Sequence, residues 1–230
     1  MQWLVLVSTL VLATILAVAF FIYQNGAVNI PLAPAQPTLL LVGPSNSGKT
    51  SLFQKLVHDK RNTLTCTTQL ANTGYYSLES GKKVKIVDVP GHPKLFNSFK
   101  SFTPTSIAFV IDSSTIAKNA DVVTRLLIDV ISHARKASIT ELSILANKSD
   151  FFTSLSTEKI TELLEAEIEQ IRQQKSGIRM DSIEDKDEED EWLQDLSGPL
   201  KLADECLMFS GSVLKDDVSP WEEWVESTFS

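Results

Sequence analysis

Eight residues early in the chain, Gly43-Pro44-Ser45-Asn46-Ser47-Gly48-Lys49-Thr50, fit the pattern GxxxxGK[ST]. Gly43 and Gly48 let backbone N–H groups wrap around a phosphate, and a helix opening here presents its positive end to it. Lys49 can reach β and γ phosphates, and the Thr50 hydroxyl can ligate Mg²⁺. Asn46, Ser47 and Ser51 complete the set of loop and first-turn residues expected around the phosphates. The plain alternative is a Gly/Ser-rich strand-to-helix turn. The complete pattern, placed after an apolar run and ahead of a helical one, favours phosphate.

Asp88-Val89-Pro90-Gly91 closes the next internal apolar run. An Asp there can hold Mg²⁺, and the Gly91 N–H can sense a γ-phosphate. Alone the tetrapeptide is a strand end; downstream of the first motif it gains meaning. Asn147-Lys148-Ser149-Asp150 follows a third apolar run and matches NKxD, the guanine-reading signature of GTPases. A carboxylate accepts from both N1–H and the 2-amino group of guanine, and adenine offers no such pair, so Asp150 should exclude ATP. GTP or GDP with Mg²⁺ is thus the expected ligand.

Weaker signals surround these three. Ser212 with Val213, or alternatively Ser210 with Gly211, lies where a loop N–H would meet guanine O6. The segment Asn62–Gln69 should supply a second hydroxyl to Mg²⁺. Of Thr63, Thr65, Thr67 and Thr68, Thr67 is the preferred choice. His92 either orients an attacking water or is a solvated loop histidine. His58 and His133 have no metal-ligand spacing and read as structural. Asp112-Ser113 reads as a cap.

The elements that must position these residues alternate. Runs of strand length are Thr38–Val42, Val84–Asp88, Ser106–Ile111, Leu142–Ala146 and Cys206–Phe209. Helical segments follow at Lys49–His58, Ala120–Arg135, Thr157–Gln174 and Pro220–Thr228. Continuous apolar strands between amphipathic helices imply a mostly parallel sheet covered on both faces. Tyr75–Glu79 and Lys83–Asp88, around Ser80-Gly81-Lys82, predict one edge hairpin. Ile160, Leu163, Leu164, Ile168 and Ile171 share a helical face. Ser219-Pro220-Trp221-Glu222 reads as an N-cap with Pro at the first helical position, and Trp221, Trp224 and Val225 should pack on the sheet.

The formal charge of −8 is local. Asp181–Asp195 holds nine acids and one base, and the remainder is balanced, which excludes a basic nucleic-acid binder. That run reads as a solvated, disordered insertion whose deletion should spare nucleotide binding, or else as a contact for a basic partner or the ribosome surface. No charged residue precedes Lys49, and within Trp3–Tyr23 only Ser8, Thr9 and Thr14 are polar. At about 1.5 Å per residue the stretch matches a bilayer core, with aromatics at both ends. A signal peptide fits less well: there is no basic start, and the apolar run is too long. The organisation expected is an anchor over 1–24, a linker over 25–37 and one domain over 38–230. Cys66 and Cys206 lie far apart, outside any zinc pattern, and read as reduced thiols.

With these residues in place, the chain resembles the beta subunits of the signal recognition particle receptor. The resemblance is carried by the apolar start, by Gly-Pro-Ser-Asn-Ser-Gly-Lys-Thr-Ser-Leu from Gly43, by Asp-Val-Pro-Gly-His-Pro-Lys-Leu from Asp88, and by the closing segment with Trp221 and Trp224. The related ADP-ribosylation factor group normally has Gly-Gly-Gln where Pro90-Gly91-His92 stands. The resemblance implies a Ras-like P-loop GTPase of six strands after one transmembrane helix, on the cytosolic face of the endoplasmic reticulum. It also implies GTP-dependent binding of the receptor's alpha subunit, near the ribosome or translocon, through the Asn62–Gln69 and Asp88–Lys94 segments. No arginine in the first loop supplies transition-state charge, so intrinsic hydrolysis should be slow. A vesicle-coat GTPase is the competing reading; those usually attach by a lipidated amphipathic helix, and here Gln2 replaces the required glycine.

Overall fold

Along Thr38–Val42 every residue after the first is buried, so this strand has neighbours on both edges and layers on both faces. It is the centre of a computed structural model that describes residues 36–59, 70–178 and 199–230, with Gln2, Trp3, Val7 and Leu193 as isolated positions. The chain divides into two units, Met1–Gln36 and Pro37–Ser230. In the first, Gln2, Trp3 and Val7 are helical, and these three and Gln36 are exposed. Among the described residues no helix is long and apolar enough to cross a membrane. Apart from those isolated positions, the expected span Trp3–Tyr23, the linker up to residue 35, the 62–69 loop with Cys66 and Thr67, and the acidic run 181–195 lie outside the described residues.

The second unit holds a six-stranded sheet ordered β2-β3-β1-β4-β5-β6. The strands are β1 (Thr38–Val42), β2 (Asn72–Ser77), β3 (Lys83–Asp88), β4 (Ser106–Asp112), β5 (Glu141–Asn147) and β6 (Leu207–Ser210). All pairings are parallel except β2 with β3. The hairpin forms as predicted, but β2 starts at Asn72. Asn72 pairs with Asp88 and Ser77 with Lys83, which moves Leu78 and Glu79 into the turn. Leu78 and Lys82 close that turn with a 2.9 Å backbone bond.

Among the described residues four α-helices cover the sheet: α1 (Lys49–His58), α2 (Ala120–Lys136), α3 (Thr157–Ile178) and α4 (Ser219–Phe229). The pleat of β1 divides the core. Leu40 and Val42 face Val123, Leu127 and Ile131 of α2 and Ile160, Leu164 and Ile168 of α3. Leu39 and Leu41 face Leu52, Phe53 and Leu56 of α1 and Trp221, Trp224 and Val225 of α4. Each such side chain contributes about 1.5–3 kcal/mol when fully buried. The expected apolar face of α3 is the one it buries, with Leu163 at its margin. One boundary differs. Val218, not Ser219, precedes the first turn of α4, and no side chain caps it, because Ser219 already lies within the helix. His133 packs as a structural residue, its Nε2 3.2 Å from the Phe102 carbonyl and its ring edge-on to Phe99.

Parallel pairing sends the C-terminal ends of β1, β3, β4 and β5 to one edge, the edge at which open α/β sheets bind ligands. The three sequence motifs begin there.

Candidate functional site

The loop after β1 is shaped by two glycines. Gly43 has φ 144°, and a Cβ there would overlap the Val110 carbonyl of β4. Gly48 has φ 96°, and its Cβ would overlap the Asn147 amide. Both conformations are ones an L side chain rarely adopts. Asn46 turns the loop with φ 65°. The backbone thus makes a cradle at the N-terminus of α1, where unpaired helix N–H groups favour an anion. Ser47 is fully buried beneath it, and Ser51 lies half-buried in the first turn.

Lys49 is 5% exposed and spans the cradle, donating to the Pro44 carbonyl at 2.7 Å and to Ser47 Oγ at 3.4 Å. Burial pushes its ammonium down to about 8, against the opposing pull of Asp88. A buried ammonium so placed suits an anionic ligand. Thr50 Oγ1 donates to Asp88 Oδ2 at 2.8 Å, and Asn72 Nδ2 donates to the same oxygen at 3.1 Å. Asp88 is fully buried at the end of β3. A hydroxyl and a carboxylate this close form a hard-oxygen pair of the kind Mg²⁺ takes, so these residues fit the ion. Gly91 lies against Lys49 and the Gly43 carbonyl, leaving no room for a side chain between the second motif and the first. His92 is exposed, and its Nδ1 accepts from the Lys94 N–H at 3.2 Å.

The third motif is wired into the first. Asn147 Nδ2 donates to the Ser47 carbonyl at 2.8 Å, and its Oδ1 accepts from the Val213 N–H at 3.1 Å. Lys148 Nζ donates to the Asn46 carbonyl at 2.8 Å and pairs with Asp112 Oδ2 at 2.6 Å. Asp150 Oδ1 accepts from Ser212 Oγ at 2.6 Å. The loop that meets the third motif through its side chains is therefore Ser212 with Val213, while Gly211 lies beneath, its carbonyl accepting from Ser149 N–H at 3.1 Å. The Trp221 indole packs so closely that a Cβ on Gly211 would overlap it.

Two residues do more than their sequence context announces. Asp112 does cap a turn, accepting from Ser114 N–H at 3.0 Å, but its other oxygen holds Lys148. Burial works against its charge, yet the Lys148 and Ser114 hydrogen bonds hold its carboxyl below the usual range. Asn72 steadies Asp88 from the edge strand. Only strand register brings them in: Asp112 sits beside Asn147, and Asn72 beside Asp88.

With this geometry in hand, comparison decides the family. The sequence model described as "Signal recognition particle receptor beta subunit" matches residues 34–204. The chain belongs to that family. It is 28% identical over 243 aligned positions to the signal recognition particle receptor subunit beta of Saccharomyces cerevisiae, covering 97% of each chain. The Dictyostelium discoideum subunit is 29% identical over 159 positions, covering 67% of this chain and 54% of that one. A chain in the structure of the mammalian SRP receptor superposes with a TM-score of 0.66 at 26% identity, covering 83% of this chain and 99% of that one. The same Ras-like fold appears in a Chaetomium thermophilum receptor complex described as SRb-GTP/SRX, with TM-score 0.64 and 20% identity over 85% of this chain and 99% of that one. This family member therefore has the Ras-like GTPase fold, and its three motifs converge at one end of the sheet.

Proposed function

We propose that this chain binds GTP and GDP with Mg²⁺ and, anchored in the endoplasmic reticulum membrane, holds the receptor's alpha subunit only in its GTP-bound state. One observation carries the reading. Asn147 joins the Ser47 carbonyl of the phosphate cradle to the Val213 N–H of the base loop, so one rigid frame faces both ends of a nucleotide. In this reading the cradle from Gly43 to Thr50 holds the phosphates, with Asn46, Ser47 and Ser51 around them. Asp150 reads guanine and Ser212 steadies it. Mg²⁺ when bound neutralises charge on the phosphate oxygens; Thr50 and Asp88 hold it, with Thr67 as a further ligand. Gly91 follows the γ-phosphate, and the Asp88–Lys94 segment with the 62–69 loop forms the surface the alpha subunit recognises.

His92 is the residue that would orient a water. Its Nδ1 accepts from Lys94 N–H, so the neutral ring carries its proton on Nε2 and must swing to act as an acceptor. That cost, with no arginine within the 62–69 segment, argues for slow turnover. The apolar Trp3–Tyr23 stretch supports a single span with the nucleotide domain in the cytosol, where GTP is available.

The test uses the full-length chain in detergent, loaded with GTP, GDP or ATP and incubated with a membrane extract. The expected outcome is capture of the alpha subunit with GTP alone, with the loaded GTP intact after many minutes. Recovery of vesicle-coat proteins instead would overturn the assignment, and unaided turnover within minutes would overturn the locked-state reading.

A further inference from the structure

Lys55 belongs to none of the three motifs. It lies on α1, the helix that opens at the phosphate cradle, and its side chain is 10% exposed. Its ammonium lies 2.8 Å from Asp59 Oδ1 and 2.8 Å from Asp216 Oδ1. Asp59 caps the end of the same helix. Asp216 belongs to the loop carrying Ser212 and Val213. The Lys55 ammonium therefore ties the phosphate-side helix to the guanine-side loop.

That loop is closed upon itself. Ser212 and Asp217 exchange backbone bonds of 2.8 and 2.9 Å, and Lys215 N–H donates to Ser212 Oγ at 3.2 Å. Asp216 sits at φ 61°, a left-handed turn conformation that aspartate adopts more readily than most L residues. The same Ser212 hydroxyl reaches Asp150. A shift of Asp216 must therefore pass through this short closed loop to the carboxylate that reads the base.

The charges facing Lys55 come from three elements. Asp59 ends α1, Asp216 lies in the loop, and Glu222 is in the first turn of α4. Burial raises the Glu222 carboxyl above its usual range; Lys55 draws it down, and Asp216 and Asp59 push it further up. The hydrogen bonds to Asp216 and Asp59 hold the Lys55 ammonium above its own usual range. Among the described residues Lys55 faces all three acids.

We propose that Lys55 is a positioning residue for guanine recognition: through Asp216 it holds the Ser212–Asp217 loop where Ser212 meets Asp150. The proposal rests on the GTP-binding reading above and extends it to a residue that touches no part of the nucleotide. It also makes an asymmetric prediction. Lys55→Met keeps the buried stem but withdraws the ammonium from three acids at once, whereas Asp216→Asn removes one acid and leaves Lys55 with Asp59. The lysine variant should disturb the loop more.

The experiment compares release of fluorescent GDP and fluorescent IDP from the full-length chain, since inosine lacks the 2-amino group that Asp150 reads. Lys55→Met should speed GDP release about tenfold and IDP release far less, as expected of residues coupled through one network. Asp216→Asn should give a smaller acceleration with the same preference for GDP. Lys55→Arg, whose guanidinium can face both carboxylates, should restore GDP release to within about twofold of the parent. Equal acceleration for both nucleotides, or none, would overturn the proposal, because a merely structural lysine has no reason to spare inosine. If Lys55→Met does not fold, Asp216→Asn decides by the same ratio. A parent chain that holds GDP no better than IDP brings down the guanine reading itself, and is told apart because the unmodified protein then fails first.

Discussion

The two ends of the site are built in different ways. The proposed phosphate side is a backbone structure, in which Gly43 and Gly48 take conformations that L side chains rarely adopt and Val110 and Asn147 fill the space a side chain would need. The proposed guanine side is a side-chain structure. Asp150 is set by Ser212, Lys148 by Asp112, and the loop by Asp216 and Lys55. A backbone cradle has few ways to change without breaking the fold. A lattice of side-chain bonds can lose one member, keep the fold, and change what it selects.

Substitutions at each end should separate these behaviours. The largest effect should come from Gly43→Ala, where the new Cβ meets a rigid backbone carbonyl and φ is unfavourable. We expect a loss of about 4–5 kcal/mol of stability, seen in thermal unfolding as a shift on the order of 10 °C or more. A change of about 1 kcal/mol or less would show that the cradle is not backbone-determined. Next comes Asp150→Asn. An amide cannot accept from both guanine donors, but it can donate to the 2-oxo group of xanthine. GTP affinity should fall by about 10³-fold or more, XTP affinity should rise, and unfolding should be nearly unchanged. Equal loss of both nucleotides, seen by calorimetry, would contradict the side-chain account.

The smallest of the three effects is a pH dependence. The Lys49 ammonium titrates near 8 in the folded chain and near its ordinary 10.5 when unfolded. Between those values the unfolded chain holds a proton that the folded chain has released, so stability rises with pH across that window. Relative to Lys49→Met, the nucleotide-free protein should gain up to roughly 3 kcal/mol from pH 8 to 10.5, measured by urea unfolding. Nucleotide affinity should move the other way, since the phosphates need the charged lysine. Parallel changes in both would refute the assignment of that titration.

The same contrast explains what could be read in advance. The cradle, Asp88 and the Asn147–Asp150 motif are contiguous, so residue type and spacing name them. Helix α1 was bounded from the pattern at Lys49–His58, the range it occupies, because a glycine turn starts it and its apolar face is regular. The contribution of Asp112 was not legible: its pairing with Lys148 crosses from β4 to β5, and only strand register brings the two together. The preferred placement, Ser212 with Val213 rather than Ser210 with Gly211, gains its physical basis from the hydroxyl's contact with Asp150. Ser219 misled as a cap because Val218 already occupies the preceding position with φ −127°. Lys55 carries no motif at all, and its role depends on a loop 161 positions away in sequence.

Asn147 has one further consequence. Its amide is planar and two-faced, with nitrogen toward the Ser47 carbonyl and oxygen toward the Val213 N–H. Turning it over would set two acceptors face to face on one side and two donors on the other, so both faults would arise together. The two neighbours thus act as a parity check on a group whose ends are nearly the same shape. An aspartate keeps the acceptor and loses the donor, and no other side chain of that length carries both on one rigid plane. Asparagine is fixed at this position because it is the one short residue that can be wrong in only one way.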